Sequence, residues 1–347
     1  MNTVLVTAVG SFSAGAAIEY LKKDGCRVVG CDIYPAEWVV NSAFADVFYQ
    51  APYATDEEAY REFLRQVCKK EKVDFVMPST DLEIDVLRGW ETAEEEMGAV
   101  LCMSGRETLA VCRDKRRLAE FLKPLGVCET IPGRLLSEIW ETEEETGYVN
   151  LTYPLVVKPV DGRSSQGLRM IETPEAMVEA VKALKEQKGS GEKVRERVYA
   201  ALSRFLVQPK IAGPVVTVDV VREPVSGETV CVPRRELLRT ANGAGLSVCV
   251  FSDEKLERQC REIAKALNIR GCVNFEFLET KTPGDEAGEW VFLECNPRFS
   301  GGLAFSCLAG YNMVRNHLRC FAGQAIEPAG IIRAGHFARR YTEYAMD

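Results

Sequence analysis

The segment FLECNPRFSGG, residues 292–302, ends an apolar run yet carries unusually polar side chains for a buried strand. Alternate side chains of a strand share a face, which puts Glu294 and Asn296 on the same side. The upstream segment GCVNFEFLE, residues 271–279, alternates in the same way and presents Glu276 opposite its phenylalanines. We predict that the two segments form an antiparallel hairpin through the turn residues TKTPGDEAGE.

Such a hairpin would bring two carboxylates and an amide oxygen together on one face. These are hard oxygen ligands of the kind that Mg²⁺ prefers, and two close carboxylates without a cation would repel each other. The sequence therefore predicts a magnesium site at Glu276, Glu294 and Asn296. An exposed strand face with ordinary charges is the alternative interpretation that the spacing leaves open.

A second polar feature lies in PLVVKPVDGRSSQGL, residues 154–168, where Lys158 ends an apolar strand. A loop rich in glycine and serine follows it directly. Glycines let backbone N–H groups approach phosphate oxygens, and a lysine adds a positive charge for them. A plain surface hairpin would have a similar composition, so both interpretations stay open for Gly162, Ser164, Ser165 and Gly167.

The bulk composition indicates a globular protein of two or three domains, since 46% of its 347 residues are hydrophobic. A net charge of −8 argues against nucleic acid or an anionic membrane as partners. No apolar run reaches the roughly 18 residues that span a bilayer. The thirteen cysteines are scattered without a C-x-x-C pair, which favours reduced thiols and a cytoplasmic protein with small-molecule partners. The two histidines have no neighbours suited to zinc binding or catalysis.

Strand and helix patterns alternate in the first part of the chain, which implies an open parallel sheet ending near residue 110. The strand patterns are TVLVTAV, CRVVGCDIYP, VDFVMPSTD and AVLCMS, and helical patterns cover 56–72 and 81–97. A further helix is predicted in CRDKRRLAEFLKPLG, followed by strands at 154–159, 205–211 and 215–222 and by a helix in DEKLERQCREIAKALN.

These blocks, in this order, resemble the ATP-grasp superfamily of carboxylate-amine ligases. The chain is most similar to one half of the carbamoyl-phosphate synthase large subunit and to the pyrrolysine-biosynthesis ligase, over roughly residues 1–330. The resemblance implies an α/β fold in which an N-terminal open parallel-sheet, or pre-ATP-grasp, domain precedes a two-lobed ATP-grasp fold with α+β lobes. The expected boundaries are 1–110, 111–212 for the small lobe with the phosphate loop, and 213–347 for the lobe with the metal site.

The resemblance also implies roles for individual residues. Lys115 and Lys158 would contact the ATP phosphates, and the loop at 162–167 would close over them. The hinge that holds adenine would comprise Gln208, Lys210 and Ile211, with backbone groups of the last two bonding the base. Mg²⁺, or Mn²⁺ in its place, would bind Glu276, Glu294 and Asn296, and Arg298 would stabilise charge on the transferring phosphoryl group. Relatives carry acids where this chain has Pro209 and Val215, so its adenine and ribose contacts differ.

The implied reaction activates a substrate carboxylate with ATP as an acyl-phosphate and joins it to an amine or ammonia. The motifs do not identify either substrate, and a homodimer is a reasonable expectation for a soluble enzyme. We predict Arg235, in the basic stretch with Arg234 and Arg239, as a substrate or phosphate ligand, and a surface basic cluster is the alternative. Gly301 and Gly302 are expected to admit a substrate close to the backbone.

Two other classes of function remain open. The N-terminal strand, GSFSAG and Asp32 resemble the dinucleotide-binding unit of an NAD-dependent oxidoreductase, but the G-x-G-x-x-G spacing is absent. A non-catalytic nucleotide-binding regulator is the other alternative. Residues after strand ends in the first domain are candidates for substrate contact: Ser11, Ser79, Thr80 and Asp81. Helix capping by Ser79 or Asp81 is the alternative.

Overall fold

The computed structural model describes residues 1–143, 148, 150–162, 166–186, 194–241, 243–280 and 289–346. By its internal contacts the chain divides into two compact units. Unit 1 comprises Met1–Cys112, Val215–Glu276 and Cys295–Asp347, and unit 2 comprises Arg113–Pro214 and Phe277–Glu294. No helix in the described part of the chain has both the length and the apolar character needed to cross a bilayer.

The N-terminal part of unit 1 alternates strands and helices, as predicted. Its elements are β1 Thr3–Val6, α1 Phe12–Lys23, β2 Arg27–Asp32, β3 Val47–Gln50, α2 Glu57–Glu71, β4 Phe75–Met77, α3 Asp81–Arg88, α4 Ala93–Met97, β5 Val100–Leu101 and α5 Arg106–Cys112, with 3₁₀ helices at Ala36–Trp38 and Val40–Phe44. The strands pair in parallel in the order β3-β2-β1-β4-β5. This confirms the open parallel sheet.

Both faces of this sheet are covered, which explains its continuous apolar strands. In β1, Val4 and Val6 contribute to a core that includes residues of α1 and of the helices Leu303–Leu308 and Met313–Phe321. Leu5 belongs to the opposite core, together with Leu64 and Leu87. Because successive side chains of a strand point to opposite faces of the sheet, this one short strand contributes residues to both cores.

Unit 2 contains an antiparallel sheet covered by helices. Its elements are α6 Lys115–Leu122, a 3₁₀ helix at Lys123–Leu125, β6 Glu129–Thr130, β7 Arg134–Leu135, α7 Leu136–Glu143, β8 Leu155–Pro159, β9 Arg169–Ile171, α8 Pro174–Glu186, α9 Val194–Leu202 and β10 Phe205–Pro209. The strand order β7-β10-β8-β9 places the Lys158 strand beside the hinge strand. Apolar residues of α7, α8 and α9 pack on this sheet.

The remaining elements are β11 Val215–Arg222, β12 Thr229–Arg239, β13 Gly245–Val250, α10 Glu254–Ala266, β14 Gly271–Thr280, β15 Glu289–Asn296, α11 Leu303–Leu308, α12 Met313–Phe321 and β16 Gly335–Ala338. Their strands, together with β6, form a long mixed sheet in the order β16-β13-β12-β11-β14-β15-β6. β14 and β15 are neighbours, as the predicted hairpin requires, and their turn lies outside the described residues.

Two predicted helices were wrong in extent. The helix predicted over 81–97 ends at Arg88 and restarts at Ala93. The helix predicted in CRDKRRLAEFLKPLG starts only at Lys115, since Asp114 caps it by accepting hydrogen bonds from the backbone N–H groups of Arg116 and Arg117, both at 3.0 Å.

The sequence reading also missed β12 and β13. Their residues include the basic stretch PRRELLR, which was interpreted only as a ligand site or a surface cluster. The arginines lie within an eleven-residue strand that pairs with β11 on one side and β13 on the other. The strand was not predicted because charged residues are typical of exposed segments. Arg234 is nevertheless buried, and tertiary partners satisfy its charge.

Candidate active site

Lys115 joins three of the predicted features within unit 2. Its ammonium Nζ donates to the carbonyl oxygen of Gly162 at 2.6 Å and lies 3.3 Å from Oε2 of Glu294. Its backbone N–H bonds the carbonyl of Val160 at 3.0 Å, which fixes the start of α6 beside the loop. A predicted phosphate ligand, the phosphate loop and a predicted metal ligand therefore lie in direct contact.

Lys158 lies on β8, where the ladder pairs it with Leu206, and only 7% of the residue is exposed. The loop after it packs closely on Pro159, because a Cβ on Gly162 would lie 3.1 Å and one on Gly167 2.9 Å from that ring. Gly167 also has φ of +73°, which favours glycine. The predicted loop residues Ser164 and Ser165 lie outside the described residues.

The predicted adenine hinge follows β10, which ends at Pro209, two residues earlier than predicted. Gln208 is buried, and its Nε2 donates to the carbonyl of Ile131 at 2.9 Å. The backbone N–H of Lys210 donates to the carbonyl of Pro154 at 3.0 Å, which continues the ladder to β8. Because that donor is already used, Ile211 is the better candidate for an N–H that bonds adenine.

Glu276 and Asn296 each have polar partners within unit 1. Oε1 of Glu276 lies 3.3 Å from Nη2 of Arg239, and the amide Nδ2 of Asn296 donates to Oδ1 of Asn274 at 3.1 Å. The amide oxygen of Asn296 therefore points away from Asn274 and lies 3.5 Å from Nη2 of Arg298.

Arg298 forms an ion pair that sequence reasoning did not foresee. Its Nη2 lies 2.7 Å from Oδ2 of Asp81, and the Asp81 side chain is only 3% exposed. Capping of α3 by Ser79 or Asp81 was the wrong expectation, because Thr80 is the N-cap and forms a capping box with Glu83. Asp81 is thereby left to orient the arginine.

Arg234, rather than Arg235, is the buried arginine of the basic stretch. Its guanidinium contacts Oδ2 of Asp219 at 2.7 Å, Oε1 of Glu236 at 3.1 Å and the hydroxyl of Ser300 at 2.8 Å. Burial opposes the charged form, yet the two carboxylates hold the pKa of Arg234 above its ordinary value. A surface cluster is thus excluded for Arg234. The sequence feature that could have revealed this network is Asp219, the single acid within the apolar strand VVTVDVV.

Arg235 lies half-buried on the same strand, with its guanidinium 4.0 Å from the ring centroid of Phe251. This is a cation–π arrangement that holds a planar arginine in a fixed orientation. Its predicted role as a substrate or phosphate ligand stays a prediction.

The glycine turn after β15 does not leave the open space that was expected. A Cβ on Gly302 would lie 2.6 to 2.8 Å from three atoms of the Arg234 guanidinium, so the glycine makes room for that arginine. The neighbouring Gly301 accepts a hydrogen bond from Arg339, whose Nε donates to the carbonyl of Gly245 at 2.9 Å. The turn is therefore held from both sides by arginines.

Asp32 does not have the arrangement of a ribose ligand in a dinucleotide-binding unit. Its Oδ2 accepts the N–H of Gly10 at 2.8 Å, and its Oδ1 accepts the N–H of Tyr34 at 3.2 Å. Both carboxylate oxygens thus stabilise local loops, which weighs against the oxidoreductase alternative.

The aromatic packing departs from strict alternation along the two strands. Phe277 and Phe292 meet edge to face with ring centroids 5.3 Å apart. Strict alternation places Phe277 on the face opposite Glu276 and Phe292 on the same face as Glu294. Because the two rings are in contact, the alternation does not continue unbroken across both strands.

The chemistry of the predicted magnesium ligands fits a divalent cation. Glu276 and Glu294 each form an ion pair, with Arg239 and Lys115 respectively. No group of three or more His, Cys, Asp or Glu side chains that could hold a metal occurs among the described residues. Two acids and an amide would leave coordination positions for phosphate oxygens, as Mg²⁺ commonly requires.

The two histidines lie in different surroundings, His317 in α12 and His336 in β16. His317 is buried, its Nδ1 accepts the N–H of Cys272 at 2.8 Å, and burial lowers its pKa to about 3. His336 is exposed on β16. All thirteen cysteines, each within the described residues, are free thiols.

Two family models match separate parts of the chain. Residues 201–338 match the family described as ATP-grasp in the biosynthetic pathway with Ter operon, and residues 4–102 match the PylC-like N-terminal domain. These matches confirm the resemblance to the ATP-grasp superfamily and its α/β fold, with a parallel-sheet N-terminal domain. They also agree with the predicted class of activity, an ATP-dependent ligase.

Solved structures share the fold at low sequence identity. Biotin carboxylase from Campylobacter jejuni, in complex with an ATP analogue, superposes with a TM-score of 0.74 at 18% identity, over 96% of this chain and 74% of that one. The biotin carboxylase domain of Hydrogenobacter thermophilus 2-oxoglutarate carboxylase, a dimer with MgADP and bicarbonate, gives 0.70 at 18%, over 96% and 73%. N5-carboxyaminoimidazole synthetase from Staphylococcus aureus, with ADP, gives 0.66 at 18%, over 94% and 78%.

Proposed function

We propose that the protein is an ATP- and Mg²⁺-dependent ligase that activates a carboxylate as an acyl-phosphate and joins it to an amine or ammonia. The observation that carries the proposal is the position of Lys115 between the Gly162 carbonyl and the Glu294 carboxylate. A lysine that already touches a glycine loop and an acid lies where a phosphate chain and its cation would bind. The match of residues 201–338 to an ATP-grasp family supports the same activity.

In the proposed site Lys115 and Lys158 bind the phosphates of ATP, and the loop from Gly162 to Gly167 covers them. Glu276, Glu294 and Asn296 would hold Mg²⁺, with Mn²⁺ as a substitute, and the bound ion would neutralise charge on the phosphate oxygens. Gln208 supports the hinge through Ile131, and the N–H of Ile211 is the proposed donor to adenine.

The reaction needs alignment of reactants and stabilisation of charge rather than a histidine or cysteine catalyst. An oxygen of the substrate carboxylate attacks the γ-phosphorus, the bond to ADP breaks, and the resulting acyl-phosphate is attacked by the amine with release of phosphate. Arg298, held by Asp81 at 2.7 Å, is proposed to stabilise the charge on the transferring group. Arg235 is proposed as a ligand of the substrate or phosphate.

The finer assignments belong to the same proposal. The functional domains are taken as 1–110, 111–212 and 213–347. The substrates are small molecules, a carboxylate and an amine, and the active form is proposed to be a homodimer. Thirteen free thiols agree with a reducing compartment, and we propose the cytoplasm as the location.

Calorimetric titration of ATP in the presence of Mg²⁺ tests the nucleotide site without knowledge of the substrates. We expect saturable binding by the wild-type protein and about tenfold or greater weakening in Lys158→Met, because a buried phosphate ligand is lost. Glu294→Gln should abolish the dependence of ATP affinity on Mg²⁺. Lys255→Met, which removes an exposed lysine from α10, is the matched control and should bind like the wild type.

Absence of MgATP binding by the wild type, or equal binding by Lys158→Met and Lys255→Met, would contradict the proposal. Titration with NAD provides the comparison with the oxidoreductase alternative, and no binding is expected because the G-x-G-x-x-G spacing is absent.

A further inference from the structure

A second concave site lies within unit 1, apart from the residues of the proposed active site. It is a cavity of about 420 Å³, within the size range of small-molecule pockets. Its walls come from the end of α3 and the turn after it, from β5 and the turn after it, and from the segments at Pro224 and at 268–270. It shares no lining residue with the proposed nucleotide, metal or substrate ligands.

The lining of the cavity has an excess of positive charge. Three arginines line it, Arg88, Arg106 and Arg270, together with two acids. Glu91 forms an ion pair with Arg106, and Oε1 of Glu94 accepts the N–H of Leu101 at 2.8 Å. Among the described residues, no carboxylate pairs with the guanidinium of the other two arginines, Arg88 and Arg270.

Arg270 is held in a fixed orientation at this site. Its Nε and Nη2 both donate to the carbonyl of Cys320, at 3.3 and 3.1 Å, and its guanidinium lies 4.6 Å from the ring centroid of Phe321. Its backbone is tied to Ser104, another lining residue, by reciprocal hydrogen bonds of 3.1 Å. A pre-oriented arginine loses little entropy when it binds an anion.

Arg88 has an unsatisfied donor. Its Nε is buried and has no hydrogen-bond partner among the described residues. A buried N–H of a charged group that lacks an acceptor is unfavourable. Apolar side chains complete the wall: Leu87, Trp90, Leu101 and Met103.

We propose that this cavity binds a small organic anion that carries a phosphate or carboxylate group, with Arg88 and Arg270 as its charged ligands. The apolar wall contacts the organic part of the ligand, and the guanidinium groups of Arg88 and Arg270 contact the anionic group. The site is separate from catalysis and holds an effector rather than a substrate.

Thermal unfolding with added inorganic phosphate, and separately with succinate, tests the proposal at constant ionic strength. Both probes are measured on Lys158→Met, in which the proposed ATP-phosphate site is impaired. At least one of the two should raise the unfolding temperature saturably, since a ligand that binds only the folded state stabilises it. Stabilisation by phosphate alone would identify the anionic group of the ligand as a phosphate, and stabilisation by succinate alone would identify it as a carboxylate.

The additional substitution Arg88→Gln should weaken that binding about tenfold, the loss typical of one charge-assisted contact. Arg258→Gln, at an exposed arginine of α10, makes the same change of charge away from the cavity and should leave binding unaltered. Gly105→Phe is a second test, because a Cβ there would meet no atom within 4 Å and a ring can occupy the space. It should abolish binding.

Failure of both probes to stabilise the protein saturably would overturn the proposal. Equal binding by Arg88→Gln and Arg258→Gln would do the same. Neither result bears on MgATP binding, which is measured on the unmodified protein, so the two proposals fail independently.

Discussion

Nη2 of Arg298 lies 2.7 Å from Oδ2 of Asp81, although 217 positions separate the two residues in the sequence. The pair joins a residue two positions after the end of β15 to the first residue of α3, and both residues belong to unit 1. An arginine proposed to act on the transferring phosphoryl group is therefore oriented by a buried acid from a distant part of the sequence.

A double-mutant cycle measures this relationship. We expect Asp81→Asn and Arg298→Met to be coupled by about 1 to 3 kcal/mol in the free energy of unfolding, because each single change removes one partner of a largely buried ion pair. Urea denaturation of the four proteins gives the coupling. Strict additivity of the two changes would show that the ion pair contributes nothing to the folded state.

The Arg234 network predicts a large difference between two arginines. Arg234→Met leaves Asp219 and Glu236 without their buried cation and should lower the free energy of unfolding by about 3 to 5 kcal/mol. Arg258→Met, at an exposed position, should change it by less than about 0.5 kcal/mol. Denaturation by urea compares them, and similar losses in both variants would refute the buried network.

The fold of the N-terminal domain could be predicted from the sequence because most of its strands are apolar runs, and β1 and β2 lie within the predicted stretches. β12 was missed because its arginines look solvent-exposed unless Asp219 is known to face one of them. The Lys115 and Glu294 assignments came from ordered motifs, whereas the Asp81 partner of Arg298 could not, because no local pattern encodes a contact between distant segments.

Gly302→Ala tests the close approach of the turn to Arg234. The added Cβ would lie 2.6 to 2.8 Å from a guanidinium that is itself held by three partners, so we expect a loss of about 1 to 3 kcal/mol in unfolding free energy. Gly330→Ala is the matched control, since a Cβ there meets nothing within 4 Å. Chemical denaturation would contradict the packing if the two variants were equally stable.

The buried His317 predicts a component of the pH dependence of stability. Burial, together with the nearby positive Arg270, lowers its pKa to about 3, whereas the unfolded chain has an ordinary value of about 6.5. Stability is thus present above pH 6.5 and is lost as pH falls from there toward 3, since only the unfolded state binds the proton. Between pH 7 and pH 5 this loss amounts to about 2 kcal/mol.

The histidine component is isolated by comparing variants at the two pH values. His317→Gln should lack this part of the decrease, whereas His336→Gln, at the exposed histidine, should retain it. Unfolding by urea at pH 7 and pH 5 gives the change in unfolding free energy between the two pH values for the wild type and for each variant. An unchanged pH dependence in His317→Gln would mean that the buried ring is not the source.

The most direct test of the ligase proposal follows oxygen atoms through the reaction. Pairs of carboxylates and amines are screened for MgATP-dependent phosphate release, and the active carboxylate is then supplied with ¹⁸O in its carboxyl group. We predict that one ¹⁸O atom per turnover appears in inorganic phosphate, together with an amide product, and that Glu294→Gln forms neither. Amide formation in which the departing ¹⁸O atom appears in AMP or water, and none appears in inorganic phosphate, would contradict an acyl-phosphate mechanism.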